Sequence, residues 1–158
     1  MTIMVDTGAW YALADTSDIN HQRAKAFYQQ VAGNISMITT DAILVEIWFL
    51  LTSRLGRIAA LTFWDTLRKS DIKVICLTEH DLEAAWHTIN AYADQGFSFT
   101  DCTTFSIMER LRKSHKTHYC LLFDCIRFMG FSTFHHVSLC FLTVCRFQCT
   151  ARSCGYPH

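Results

Sequence analysis

An α/β fold with a mostly parallel central sheet follows from three features of this 158-residue chain. Short apolar runs alternate with longer amphipathic stretches, the pattern of strand–helix–strand units. The runs are almost wholly apolar, as strands covered on both faces are. Two of them end on an aspartate, Asp6 and Asp124, at the strand carboxyl ends where open parallel sheets carry their sites.

Each element has its own signal. Thr2 to Val5 reads as a buried strand closed by Asp6, and Trp10 to Leu13 starts a helix or turn. Asn20 to Val31 is helical, with Ala24, Phe27, Tyr28 and Val31 at helical spacing, and Gly33-Asn34 stops it. Ile35 to Ile38 is a second short strand. Thr39 or Thr40 caps a helix from Asp41 through Leu51, with Ile43, Leu44, Ile47 and Leu51 on one face. Gly56 breaks it, and Arg57 to Lys69 forms another helix. Ile72 to Leu77 is a strand rich in Ile and Val. Thr78 caps the next helix, which carries Asp81 and Glu83 in its first turn and runs to about Asp94. After the Gln95-Gly96 turn, Thr100 caps a helix from Asp101 to Leu111, and Tyr119 to Phe123 is a last strand.

Composition narrows the class. The length suits one domain with a sizeable core, and 51% hydrophobic residues with a single Pro argue against disorder over most of the chain. No apolar run approaches the roughly 20 residues of a membrane-spanning helix. The first residues lack the basic and apolar regions of a signal peptide, so a cytoplasmic protein is expected. Zero net charge gives little support to a broad nucleic-acid-binding surface. The charges are unevenly spread: all 14 acids lie at or before Asp124, and the 34 residues after it hold three Arg and no acid. Cys76 is the first of eight cysteines, and the other seven begin at Cys102. Nothing indicates secretion, so free thiols are expected.

Four carboxylates carry the chemistry. Asp6, Glu46, Asp101 and Asp124 each sit in a short apolar frame, and carboxylates are seldom buried unless paired or bound to metal. Taken singly, each also fits a plainer role: Asp6 and Asp124 as turn residues, Asp101 as a helix cap, Glu46 as the solvent side of a helix. Taken together, they imply a shared acidic pocket, which repels itself unless a hard divalent cation occupies it. That points to Mg²⁺ or Mn²⁺ and to phosphodiester hydrolysis.

The spacing of Asp6-Thr7-Gly8-Ala9, Thr39-Thr40-Asp41-Ala42-Ile43-Leu44-Val45-Glu46, Phe99-Thr100-Asp101-Cys102 and Phe123-Asp124 resembles the PIN-domain nucleases. Within them it is similar to the VapC-type toxins of prokaryotic toxin–antitoxin pairs. Phe128-Met129-Gly130-Phe131 looks like the family's ending, so the resemblance covers about 1–134. It implies a three-layer α/β/α sandwich and a metal-dependent endoribonuclease, with Mg²⁺ or Mn²⁺ on the four acids. It also implies an RNA substrate, a cognate antitoxin and a homodimer. Thr7 matches a position whose hydroxyl helps hold the site, and Thr100 and Asp41 stand behind the acids, where a role as helix caps is favoured. Arg110, Arg112 and Lys113 share a helix with Asp101 and are the preferred phosphate contacts. Phe49, Leu50, Phe63 and Trp64 offer a partner or dimer surface, or else ordinary core.

The chain departs from the pattern after Asp101. Lys113 to His118 lengthens the interval to Asp124, and Cys125-Ile126 follows that acid where a polar or basic pair is usual. The stretch 135–158 is acid-free and Cys-rich, expected to be peripheral or poorly ordered. A zinc site from Cys145, Cys149, Cys154 and a His has no standard finger spacing. His21, His80 and His87 read as surface residues, and Trp48, Trp64 and Trp86 as core. The competing function is a PIN-like module that binds RNA or protein without cutting. A haloacid-dehalogenase phosphatase would need an Asp at Gly8, and no Gly-x-Gly-x-x-Gly follows the first strand.

Overall fold

A computed structural model describes residues 2–115 and 119–121. Ten elements follow one another: β1 (Thr2–Met4), α1 (Thr7–Ala14), α2 (His21–Val31), β2 (Ser36–Thr40), α3 (Asp41–Arg54), α4 (Arg57–Arg68), β3 (Lys73–Ile75), α5 (Glu79–Ala91), α6 (Phe99–His115) and β4 (Tyr119–Leu121). The four strands form one sheet in the order β3-β2-β1-β4, parallel throughout. Met4 stands between Ile38 on one side and Leu121 on the other. The chain steps outward from β1 to β3 and then returns across the sheet to β4. With right-handed crossovers these opposite steps cover opposite faces, which makes three layers.

The core is built where the apolar spacing placed it. Ile3, Met4 and Val5 are buried on β1 and just past it, and α3 buries Ile43, Leu44, Ile47 and Leu51 as its periodicity predicts. Trp10 of α1 meets Phe63 of α4 edge-on, with ring centroids 5.5 Å apart. The Trp10 indole N–H reaches the Thr39 hydroxyl at 3.3 Å, and that hydroxyl donates to the Val5 carbonyl at 3.0 Å. These buried polar groups are thereby satisfied, and they pin the end of β1 to β2.

Several boundaries move for local reasons. The strand expected over Ile72 to Leu77 keeps only Lys73–Ile75, because the Leu77 N–H turns to the Asp41 carboxylate at 3.2 Å. The helix expected from Asp101 starts at Phe99 and runs to His115, because Ser98 rather than Thr100 caps it. Thr40, of the two threonines offered, caps α3 by accepting the Ile43 N–H at 3.1 Å. His21 is buried, not on the surface, with Nδ1 2.8 Å from the Ala12 carbonyl. Trp86 is the reverse case, 57% exposed instead of in the core, while Trp48 is half-buried. Asp124, the cysteines from Cys125 onward with the proposed zinc ligands, and the stretch 135–158 lie outside the described residues.

Candidate active site

Parallel strands put all their carboxyl ends on one edge of the sheet. Asp6 follows β1 at that edge, and α3, which carries Glu46, starts there from the end of β2. α6, with Asp101 in its first turn, leads into β4 and so runs against the strand direction.

Asp6 is 8% exposed and occupies the N-cap position of α1, yet its side chain does not cap the helix. The next residue makes the decisive contact. Thr7, equally buried, donates its hydroxyl to the Glu46 carboxylate thirty-nine residues away. Glu46 is therefore not a solvent-side helix residue. It is half-buried between exposed Val45 and buried Ile47, and it is held against the start of α1. Asp101 is half-buried in the first turn of α6. Its carboxylate accepts the Ser98 N–H at 2.8 Å, and its own N–H donates to the Ser98 hydroxyl at 3.0 Å, a reciprocal cap. Burial, followed by the Asp101 charge, pushes the neighbouring Cys102 thiol above its ordinary pKa.

Helix N-termini soften the repulsion among these acids. Asp6 stands at the start of α1, Asp41 at the start of α3 and Asp101 at the start of α6, each where the helix dipole favours negative charge. Oxygen-only donors of this kind suit a hard cation such as Mg²⁺ or Mn²⁺. Among the described residues no three His, Cys, Asp or Glu side chains close on one point as metal ligands. The structure bonds Thr7, the residue after Asp6, to Glu46, while the bonds of Asp101 go to Ser98 at the start of its own helix. Thr104, one turn beyond Asp101, keeps a buried hydroxyl with no partner among the described residues.

The remaining predicted site residues have other attachments. Asp41 accepts the Leu77 N–H and its neighbour Ala42 N–H at 2.9 Å, so it ties the loop after β3 to α3. Thr100 offers its carbonyl to the Thr103 hydroxyl at 2.8 Å. Arg112 and Lys113 are exposed and pair with Glu109 at 2.8 and 3.2 Å. Arg110, expected beside them as a phosphate contact, is instead engaged by Asp81 of α5 and by the Cys76 carbonyl. Sequence reasoning placed Asp81 only as a first-turn acid. The Thr78-x-x-Asp81 spacing was the signal for its reciprocal cap, but nothing local announced its pairing with Arg110. Of the apolar residues expected at a partner surface, Phe49 is 69% exposed and Trp64 is exposed, while Leu50 and Phe63 are packed against the core.

Comparison with known proteins agrees with this geometry. The PIN-domain family model matches residues 3–115. The 23S rRNA-specific endonuclease VapC20 of Mycobacterium tuberculosis is 30% identical over 108 residues, covering 68% of this chain and 81% of that protein. The crystal structure of VapC20, described as a Sarcin-Ricin loop cleaving toxin, superposes with a TM-score of 0.64 over 68% of this chain and 82% of its own. The VapBC2 structure from Rickettsia felis, bound to a DNA fragment from their promoter, shares the fold at 7% identity, with a TM-score of 0.54 over 77% of this chain and 98% of its own. PIN nucleases as a class depend on divalent metal, and no helix among the described residues is long and apolar enough to cross a membrane. With Asp6 and the start of α3 on one sheet edge, its fold and its relatives in agreement, this chain belongs to the PIN-domain family, among the VapC-type endoribonuclease toxins of toxin–antitoxin pairs.

Proposed function

We propose that this protein hydrolyses phosphodiester bonds of ribosomal RNA, with Asp6, Glu46, Asp101 and Asp124 holding Mg²⁺ or Mn²⁺. The observation that carries this reading is the Thr7 hydroxyl bonded to Glu46 beside buried Asp6. It draws carboxylates from separate elements to one edge of the sheet. The substrate class rests on the 30% identity to a 23S rRNA-specific endonuclease. Asp124, outside the described residues, enters through the likeness of Phe123-Asp124 to the family's fourth acid.

The bound cation supplies a water of lowered pKa and positive charge against the phosphate. The chain's own residues do the rest. Thr7 holds the Glu46 carboxylate in place, and the burial of Asp6 keeps bulk water from competing for it. Asp101 is oriented by its bond to Ser98, with Thr100 and Asp41 supporting the local backbone. Arg112 and Lys113 are exposed and, among the described residues, pair with Glu109 on their own helix, a partner they can exchange for RNA phosphates. The nuclease domain spans 1–134, the extent of the sequence resemblance. The protein acts in the cytoplasm, where ribosomal RNA is, as a homodimer restrained by its antitoxin.

The test is cleavage of ribosomal RNA fragments and hairpins by purified protein, with Mg²⁺, Mn²⁺ or EDTA. Asp6→Asn, Glu46→Gln and Asp101→Asn are each expected to lower cleavage about a hundred- to a thousandfold, the scale of removing a main electrostatic element of a site. Asp124→Asn decides the fourth acid. Activity that survives EDTA would sink the metal reading.

A further inference from the structure

The pair Arg110 and Asp81 is the most heavily bonded side-chain contact between two helices among the described residues. The Asp81 side chain is fully buried. Its carboxylate takes the Arg110 guanidinium in a fork, Nε at 3.0 Å and Nη2 at 2.9 Å. It also accepts the Thr78 N–H at 2.9 Å and hydroxyl at 2.7 Å. Arg110 Nη2 donates again to the Cys76 carbonyl at 3.2 Å. The adjoining Leu77 N–H is held by Asp41, the first residue of the helix that carries Glu46. Polar contacts thus link α6 through the β3–α5 connection to the start of α3, the helix whose Glu46 takes the Thr7 hydroxyl.

We infer that Arg110 is a positioning residue: clamped to Asp81 and Cys76, it sets where α6 sits along its axis and hence where Asp101 stands relative to Glu46 and Asp6. Arg110 lies nine residues beyond Asp101, about 14 Å along a helix rising 1.5 Å per residue. A rigid helix transmits an axial slip over that distance undiminished. A forked guanidinium resists slipping, whereas a lysine ammonium is a point charge that tolerates it. Arg110 therefore does not serve as a phosphate contact, because reaching RNA would leave the Asp81 charge buried and unpaired.

This inference rests on the acid site proposed above, and the experiment separates the two. Mn²⁺ binding to the full chain is measured by calorimetry, RNA affinity is measured in EDTA, and alkylation of buried Cys102 is followed by mass spectrometry. Proteins compared are the wild type, Arg110→Met, Arg110→Lys, Asp81→Asn and the double variant Arg110→Met/Asp81→Asn, each at equal folded fraction. Arg110→Met is expected to weaken Mn²⁺ binding about tenfold, as changes behind metal ligands do. RNA affinity in EDTA stays as in the wild type, Arg110→Lys falls between, and Cys102 is alkylated faster. The double variant is no weaker than either single one, since both act through one contact. Folded Arg110→Met or Arg110→Lys that binds Mn²⁺ as the wild type does overturns the clamp. So does a loss of RNA affinity in EDTA with a shallower salt dependence, the mark of a phosphate contact. If the wild type binds no Mn²⁺, the acid-site reading fails, and Cys102 alkylation alone decides: an unchanged rate in folded Arg110→Met overturns the clamp.

Discussion

Thr7 reaches Glu46 with a single hydroxyl, and that atom separates two closely similar substitutions. Thr7→Ser keeps the donor and is expected to keep most of the cleavage rate. Thr7→Val keeps the shape, leaves Glu46 unheld, and is expected to lower kcat about 10- to 100-fold with the melting temperature little changed. Asp81 makes its contribution to stability, in a pH-dependent way. Burial raises its pKa, but the hydrogen bonds from Arg110 and Thr78 outweigh burial and hold the carboxyl below its ordinary value. A carboxyl depressed on folding stabilises fully above the unfolded pKa of about 3.9, and the contribution disappears as pH falls through the lower folded value. Urea melts from pH 6 to pH 2 should show this acid-side loss in the wild type and a shallower one in Asp81→Asn. Equal slopes would mean that the pair is not formed in solution. Glu46 shows where reading one residue at a time stops. Its flanks, Val45 and Ile47, announced a helix, but only the partner thirty-nine residues away showed which side of that helix it belongs to.

The helices were legible because their signals are local. Apolar spacing gave the buried face of α3, and the capping threonines Thr40 and Thr78 marked two starts correctly. Ser98 was missed because two hydroxyl residues, Ser98 and Thr100, stand near the start of α6, and propensity alone does not choose between them. The choice matters for the site, since the Ser98 cap bonds the carboxylate of Asp101 itself. Ser98→Ala is expected to cost about 1 kcal/mol of stability and also to lower cleavage, because the same bond orients the acid. A chemical melt paired with a rate measurement checks both. Stability lost with an unchanged rate would make Ser98 a cap and nothing more. Strand β3 came out shorter than its Ile and Val content suggested, because Asp41 captures the Leu77 N–H that a longer ladder would need.

Across the whole molecule, the parallel sheet does the assembling. Strands of one direction share a carboxyl edge, so Asp6, after β1, and the helix that carries Glu46, after β2, start from one edge without any local motif. The outer surface is a separate matter. Val45, Phe49, Ile58 and Leu61 are exposed on α3 and α4, two helices packed against each other, and Phe49 is the most exposed aromatic residue described. Apolar residues gathered on one face mark a surface for a partner. Phe49→Asp is expected to leave the melting temperature within about a degree, since the side chain packs on little. It should weaken antitoxin binding or self-association, read by calorimetry and by sedimentation. Unchanged association in both would remove this face from the partner surface.

The sequence by itself determined the α/β class, the order of strands and helices, the buried face of α3 and the acids that merit attention. Those follow from periodicity, caps and the cost of burying a carboxylate, which neighbouring residues reveal. Only the tertiary structure decided that Glu46 turns to Thr7 and that Arg110 is spent on Asp81. The reason is that a side-chain hydrogen bond across thirty or forty residues depends on how helices seat on the sheet. That seating is set by the packing of the whole core, which no short stretch of the chain encodes.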